Sequence, residues 1–362
     1  MLMCPQQPDG IAQRNRAIDT FRCRQRGYSL IEMMVALAIS LVLLMGLSSI
    51  FVSSLRSGAE IERANQQIEN GRYAIQLLTD DLRNAGQLAG FSPGPLATPA
   101  LKPDPCATDL ATLKAALPIA VQGYDNAAAI PGCISDVMAG TDILVIRRAS
   151  TCAIGDANCD AALAGAPYFQ ASGCSNATEL SSTDANNYFA LDTATTSLTL
   201  HQKDCVTPAA VYRYRTHIYF VAGNDKLGDG IPTLKRAELG AAGFTIVPLV
   251  EGIQNLQIEY GIDSAVPTTG TPAFYTADPD SVGSCAGLAC VTYWRNTVAA
   301  KVIVLARNTS LSAGYTDKQK VYSLGQKFNG SAHTVGPFDD GYRRHLYHAV
   351  VRLNNTAGRN TP

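Results

Sequence analysis

The stretch Arg26-Gly27-Tyr28-Ser29-Leu30-Ile31-Glu32-Met33-Met34-Val35-Ala36-Leu37 joins a basic segment to a long apolar one, with a single carboxylate at the seam. Residues 33–52 (MMVALAISLVLLMGLSSIFV) carry no charge, and about 20 residues of helix is what a bilayer core requires. Their Leu, Ile, Val and Phe residues each favour insertion by roughly 0.3–0.6 kcal/mol, enough to tolerate Glu32 nearby. Arg14, Arg16, Arg22, Arg24 and Arg26 precede the segment and only Arg56 and Arg63 follow closely, so the leader is expected to stay in the cytoplasm. Everything after about residue 55 then lies outside it. A secretory signal released after Gly46-Leu47-Ser48 is the competing reading, and an apolar core this long argues for retention instead.

Helical character continues past the membrane. Ile61, Ala64, Ile68, Ile75, Leu78 and Leu82 recur at spacings of three, four and seven, which predicts one apolar stripe. The expected helix runs from Tyr28 to about Ala85, with Gly86 as C-cap, and Gly58 and Gly71 weaken a perfect rod. Such a helix is on the order of 87 Å long, far more than a bilayer needs, so its second half must cover a soluble surface. A free amphipathic helix or coiled coil is the blander alternative.

A Pro- and Gly-rich connector, residues 91–105, ends the helical pattern. Short β-branched and aromatic runs follow at 141–147, 211–221, 245–250, 256–262, 297–307 and 342–353, separated by turn formers. In 297–307 both alternating sets are apolar (Val298, Val302, Val304; Ile303, Leu305), as suits a central strand covered on both faces, one of them by the long helix. The expected fold is α+β, a long N-terminal helix packed on an antiparallel β-sheet, with a disulfide-containing, loop-rich insertion over about 91–205. The expected organisation is a leader over 1–27, a transmembrane half-helix over 28–55, an amphipathic half over 56–86, and a β-rich head over 87–362. The Ala, Asn, Ser and Thr content of the insertion suits exposed surface.

The quoted junction resembles the class III signal of type IV prepilins and type II secretion pseudopilins. In that family a basic leader ends in glycine, a membrane-embedded prepilin peptidase cuts after it and methylates the new amino terminus, and the fifth mature residue is glutamate. The resemblance places those roles on Gly27, Tyr28 and Glu32, with Tyr28 where phenylalanine is commonest. Physical reasons support each: glycine lets a backbone lie close against a protease, and a carboxylate entering lipid calls for a partner or a proton. The family's partner is a neighbouring subunit's amino terminus; for Glu32 the alternative is snorkelling or stabilising the helix start through the dipole.

Leu249-Val250-Glu251-Gly252-Ile253-Gln254-Asn255-Leu256-Gln257-Ile258-Glu259-Tyr260-Gly261 resembles a block of PilW-type minor pilins. So do Asp340-Gly341-Tyr342-Arg343-Arg344 and Val350-Val351-Arg352-Leu353. The resemblance implies a minor pilin that primes pilus assembly or sits at the tip. Its implied partners are other minor pilins, the major pilin, the prepilin peptidase, an inner-membrane assembly platform and a tip adhesin. The alternatives are a J-class pseudopilin of a type II secretion system and, further off, a signal-anchored periplasmic enzyme or binding module.

Other chemistry has little foothold. Cys106, Cys133, Cys152, Cys159, Cys174, Cys205, Cys285 and Cys290 all lie beyond the apolar segment, an even set suited to disulfides in an oxidising space. Short separations favour Cys152 with Cys159 and Cys285 with Cys290, then Cys106 with Cys133 and Cys174 with Cys205. No CxxC is present, which weighs against zinc. Gly223-Asn224-Asp225-Lys226-Leu227-Gly228-Asp229-Gly230 offers Asp225 and Asp229 to calcium, but turn chemistry alone explains it. No His-Glu-x-x-His or phosphate loop occurs, and neither catalysis nor a cofactor is expected. A net charge of −1 gives no basis for nucleic-acid binding, and the Lys235-Arg236 and Arg343-Arg344 pairs read as solvated strand ends.

Overall fold

The computed structural model describes residues 27–159 and 161–359; the expected leader up to residue 26, with Cys4, Cys23 and its arginines, lies outside them. The chain divides into two units, one ending at Gly58 and one starting at Ala59, and helix α1 (Leu30–Asn84) contributes to both. Neither Gly58 nor Gly71 interrupts it. In the first unit every described residue is exposed, including Leu41, Val42 and Met45, and α1 is long and apolar enough to cross a membrane.

In the second unit α1 buries Gln67, Gly71, Ala74, Leu78, Thr79, Asp81 and Leu82. This corrects the stripe read from the sequence: Leu78 and Leu82 belong to it, but Ile61 is 61% exposed and Ile68 38% exposed. The packed row is turned by one residue from the Ile61–Ile68–Ile75 line, about 100° around the helix. Small and amide side chains at Gln67, Gly71 and Ala74 make the contact, which an apolar count overlooks. Gly86, just past the helix, has a φ of 71° and donates its N–H to the Arg147 carbonyl at 2.9 Å. That is the left-handed closure a glycine permits.

The strands are β1 (Val121–Tyr124), β2 (Ile143–Ala149), β3 (Tyr168–Ala171), β4 (Phe189–Asp192), β5 (Val211–Ala222), β6 (Thr233–Gly240), β7 (Gly243–Glu251), β8 (Ile253–Ile262), β9 (Phe274–Thr276), β10 (Thr297–Arg307), β11 (Tyr322–Gln326), β12 (Ala332–Val335) and β13 (Arg344–Arg352). They form antiparallel sheets: β1-β2-β5-β3-β4 extended by β6 and β7, then β13-β10-β8-β9, then the hairpin β11-β12. One face of β10 (Ala300, Val302, Val304, Ala306) joins Ala74, Leu78 and Leu82 of α1 in a common core. Its other face (Ile303, Leu305) lies under Tyr322 and Leu324 of the hairpin. The central strand covered on both faces is therefore present, with the helix on one side as the alternation implied.

Residues 91–205 are more than an exposed elaboration. They supply β1 to β4 to the first sheet and a second core in which Leu113, Leu117, Phe169, Phe189 and Leu191 are buried. Phe169 and Phe189 stack with ring centroids 5.7 Å apart. β1, β3 and β4 have four residues each, too few to show a period of two. Four disulfides close loops in the head: Cys106–Cys133, Cys152–Cys159, Cys174–Cys205 and Cys285–Cys290.

Candidate assembly site

The residues around the quoted junction make a helix start. The Glu32 carboxylate accepts the Ser29 N–H at 3.1 Å, and Met33 N–H donates to the Ser29 carbonyl at 3.1 Å. Ser29 and Glu32 thus stand at N-cap and N3, the spacing at which a glutamate reaches back to satisfy the N-cap N–H. Tyr28 is 89% exposed, and nothing lies within 4 Å of the position a Cβ would take on Gly27. Gly27, Tyr28 and Glu32 therefore form one open segment at the head of an apolar helix.

Within the second unit, polar side chains on α1 fasten the helix to the sheets. Gln67 Nε2 donates to the carbonyls of Ala306 (2.9 Å) and Arg343 (2.8 Å), and Asn70 Nδ2 donates to that of Glu251 (3.0 Å). Asp81 is the deepest of these anchors. Its carboxylate accepts Arg148 Nε at 2.6 Å and the Tyr219 hydroxyl at 2.8 Å, and stands 2.6 Å from His217 Nδ1. Burial opposes ionisation of Asp81, but the hydrogen bonds from His217 and Arg148 and the Arg148 charge outweigh it and hold the carboxyl below its usual range. Burial pulls His217 below its ordinary value, and Asp81 offsets only part of that. We take His217 as neutral near pH 7, with Nδ1–H donating to a charged Asp81. Sequence reasoning passed over Asp81, although it stands three residues after Leu78 and seven after Ala74, on the apolar row itself.

Two further carboxylate centres set the head. Asp142 accepts the N–H groups of Asn126 (2.8 Å) and Ile258 (2.7 Å), so one side chain before β2 ties the first sheet to β8 of the second. Burial pushes its carboxyl well above the usual range, against the pull of those two bonds. Arg344 is fully enclosed, with its side chain 0% exposed. It donates to Gln254 Oε1 (2.6 Å), to both Asp340 oxygens (2.7 and 2.6 Å) and to the Tyr342 carbonyl (3.0 Å), with Asp317 at 3.4 Å. The solvated strand end expected for Arg344 is thus overturned: the side chain points inward because carboxylates wait there. Arg236 is half-buried on Glu238 and the Tyr219 hydroxyl, while Lys235 donates to the Asp225 carbonyl at 3.0 Å.

The Asp225–Asp229 segment links β5 to β6 as a turn. The Asp229 carboxylate accepts the N–H groups of Asp225 (3.1 Å), Lys226 (2.7 Å) and Ile231 (2.9 Å). Backbone donors therefore occupy the oxygens a cation would use. Among the described residues no group of three His, Cys, Asp or Glu side chains is arranged to hold a metal.

Comparison with known proteins gives two family matches. Residues 218–355 match the Type IV Pilus-assembly protein W family (PilW), and residues 22–48 match the prokaryotic N-terminal methylation motif. Among solved structures, a type IV-like pilin from Thermus thermophilus is similar at 11% identity and a TM-score of 0.25, over 62% of this chain and 80% of that one. No curated protein sequence matches. The first match spans β8, β10, β13 and the Arg344 centre, and the second spans the capped helix start, so the C-terminal part of the chain is similar to the PilW family of type IV pilus-assembly proteins and its N-terminus to the methylation motif.

Proposed function

We propose that this chain is a minor pilin that primes assembly of a type IV pilus or sits at its tip, working by assembly and without turnover. In this reading residues 1–27 are a cytoplasmic leader removed between Gly27 and Tyr28, and residues 28–55 anchor the protein once through the inner membrane. Residues 56–86 hold the helix on the head, and residues 87–362 are periplasmic and later extracellular. The observation that carries the reading is the start of α1: an open Gly27–Tyr28 bond immediately before a capped, fully exposed apolar helix. Such a helix has to bury its surface in lipid or among like helices. In the filament, Glu32 pairs with the amino terminus of a neighbouring subunit and sets register. A head of this size, repeated at every subunit position, would crowd a filament, which favours a minor role. Other minor pilins, the major pilin, the prepilin peptidase, the assembly platform and a tip adhesin are the partners it implies.

The test is intact-mass and N-terminal analysis of membrane-extracted protein from cells with and without the prepilin peptidase, beside a Gly27→Ala variant. A methylated terminus at Tyr28, seen only with the peptidase and with Gly27, is the expected result. A retained leader or a cut near Ser48 overturns it.

A further inference from the structure

β13 is an end strand of its sheet, and among the described residues no strand pairs with its outer edge. The Leu353 N–H donates to the Val298 carbonyl at 2.9 Å, and the Asn308 N–H to that of Arg343 at 3.1 Å, so the odd-numbered residues of β13 turn their backbone groups to β10. In an antiparallel pair such residues alternate with ones whose N–H and C=O turn away. Leu346, His348 and Val350 therefore aim theirs outward, and among the described residues no hydrogen bond meets them. Lys320 Nζ reaches the Arg344 carbonyl at 3.5 Å and covers the edge only at its start.

The other edges are guarded. β1, β4 and β9 have four, four and three residues, and β7 carries Pro248 within the strand. Short strands, proline and lysine are devices that keep an edge from pairing. β13 runs for nine residues (RHLYHAVVR) with neither proline nor lysine. Its outer edge borders a groove of about 520 Å³, lined by Arg72, Gln76 and Thr79 of α1 and by Tyr347, His348 and Val350 of β13. Tyr347 and Ala349 stand opposite Val304 and Val302, on the α1 side of the sheet; His348 and Val350 stand opposite Ile303 and Lys301, on the other. Val350 is 63% exposed there.

Charge selects the occupant. Arg72 is exposed and forms no ion pair among the described residues, whereas Asp80 matches Arg83 at 3.1 Å. β13 itself has two arginines, two histidines and no acid. A second copy of β13 would set these groups against one another, and like charges directly opposite weaken a strand pair. We infer that the outer edge of β13 and the adjoining face of α1 form a docking groove for an extended segment of a partner protein, which adds as a fifth strand with carboxylates towards Arg72 and apolar side chains beside Val350. Main-chain bonds to His348 and Val350 supply the attraction, and the alternating side chains supply the choice of partner. The groove lies wholly within the second unit, so its test is independent of the cut after Gly27.

Fluorescence anisotropy of the detergent-solubilised full chain tests this with a labelled peptide, Thr-Val-Glu-Val-Glu-Val-Thr, and its counterpart with lysine at both glutamates. The glutamate peptide should bind about tenfold more tightly. Val350→Pro removes an outward N–H without touching the ladder to β10, and should weaken binding of the glutamate peptide by about tenfold. Arg72→Glu, at an exposed position, should reverse the preference between the peptides and decides the matter should Val350→Pro fail to fold. No binding of the glutamate peptide by wild type up to about 1 mM, a bare 4 kcal/mol of affinity, overturns the inference. Equal binding of both peptides, or binding unchanged in a folded Val350→Pro, overturns it as well. A wild-type dimer in sedimentation that Val350→Pro dissolves would assign the edge to a second copy and overturn the proposed partner.

Discussion

The ring of Tyr347 on β13 fills the space that any side chain at Gly71 of α1 would need, so a methyl group placed there would overlap it. That close approach lets Gln67, one turn earlier, reach the carbonyls of Ala306 and Arg343. Gly71→Ala gains about 1 kcal/mol of helix propensity but overpacks the contact at a cost of about 1–3 kcal/mol. Denaturant unfolding should therefore show a net loss in the wild-type background. In a Tyr347→Ala background the same substitution should be neutral or stabilising. A stabilising Gly71→Ala in the wild type would show that the ring moves aside freely.

The Asp81–His217 pair gives the head a pH dependence with a definite sign. His217 in the fold titrates below its ordinary 6.5, so the unfolded chain binds more protons in the interval beneath that value. Stability is then fully present above pH 6.5 and falls as the pH drops from 6.5 towards the folded value. Asp81, held low, adds stability that is present above its ordinary 3.8 and is lost only at more acidic pH. Asp142, held high, acts in the opposite direction: its contribution declines as the pH rises through its folded value. Urea midpoints at pH 7.5 and 5.5 should show a loss in the wild type that shrinks in His217→Gln. An equal loss in both would assign the effect to other groups.

The fold was legible in most of the longer segments, although the eight-residue β6 (Thr233–Gly240) fell outside the strand runs read from the sequence. Residues 297–307, read as a central strand, coincide with β10, and 211–221 falls within β5. The shorter strands β1, β3 and β4 and the polar anchors were not legible, for a physical reason: a buried acid or arginine is stable only through partners far away in sequence. Asp81 meets residues 67 and 136 positions away, and Arg344 reaches Gln254, 90 positions back. Nothing local marks such pairs, and Arg344 beside Arg343 reads as surface charge until its carboxylates are in place. The helix start was the reverse case, because Ser29 and Glu32 are three residues apart and their bond is local.

The disulfides should not contribute equally. Cys106–Cys133 and Cys174–Cys205 close separations of 27 and 31 residues, against 7 and 5 for Cys152–Cys159 and Cys285–Cys290. Chain entropy assigns about 3.6 kcal/mol to each long loop and about 2 kcal/mol to each short one. Cys174→Ser with Cys205→Ser should therefore lower the unfolding midpoint more than Cys285→Ser with Cys290→Ser. The reverse order in matched melts would mean that local strain or unfolded-state structure outweighs loop entropy here.

Glu32 holds two functions that substitution can separate. As a cap it needs only an oxygen aimed at the Ser29 N–H, and glutamine supplies that as well as glutamate does. As a partner for a neighbour's amino terminus it needs the charge, which glutamine lacks. Glu32→Gln should therefore keep the helix start, membrane insertion and steady-state level, yet be lost from sheared filaments. Glu32→Ala should lose the cap as well, at a cost of about 1 kcal/mol at the helix end. Ser29→Ala is the control, since its N–H still meets Glu32 and incorporation should persist. The readout is the ratio of this subunit in sheared pili to that in membranes. Normal incorporation of Glu32→Gln would show that the carboxylate acts through the helix start alone, and the proposed register contact would then be wrong.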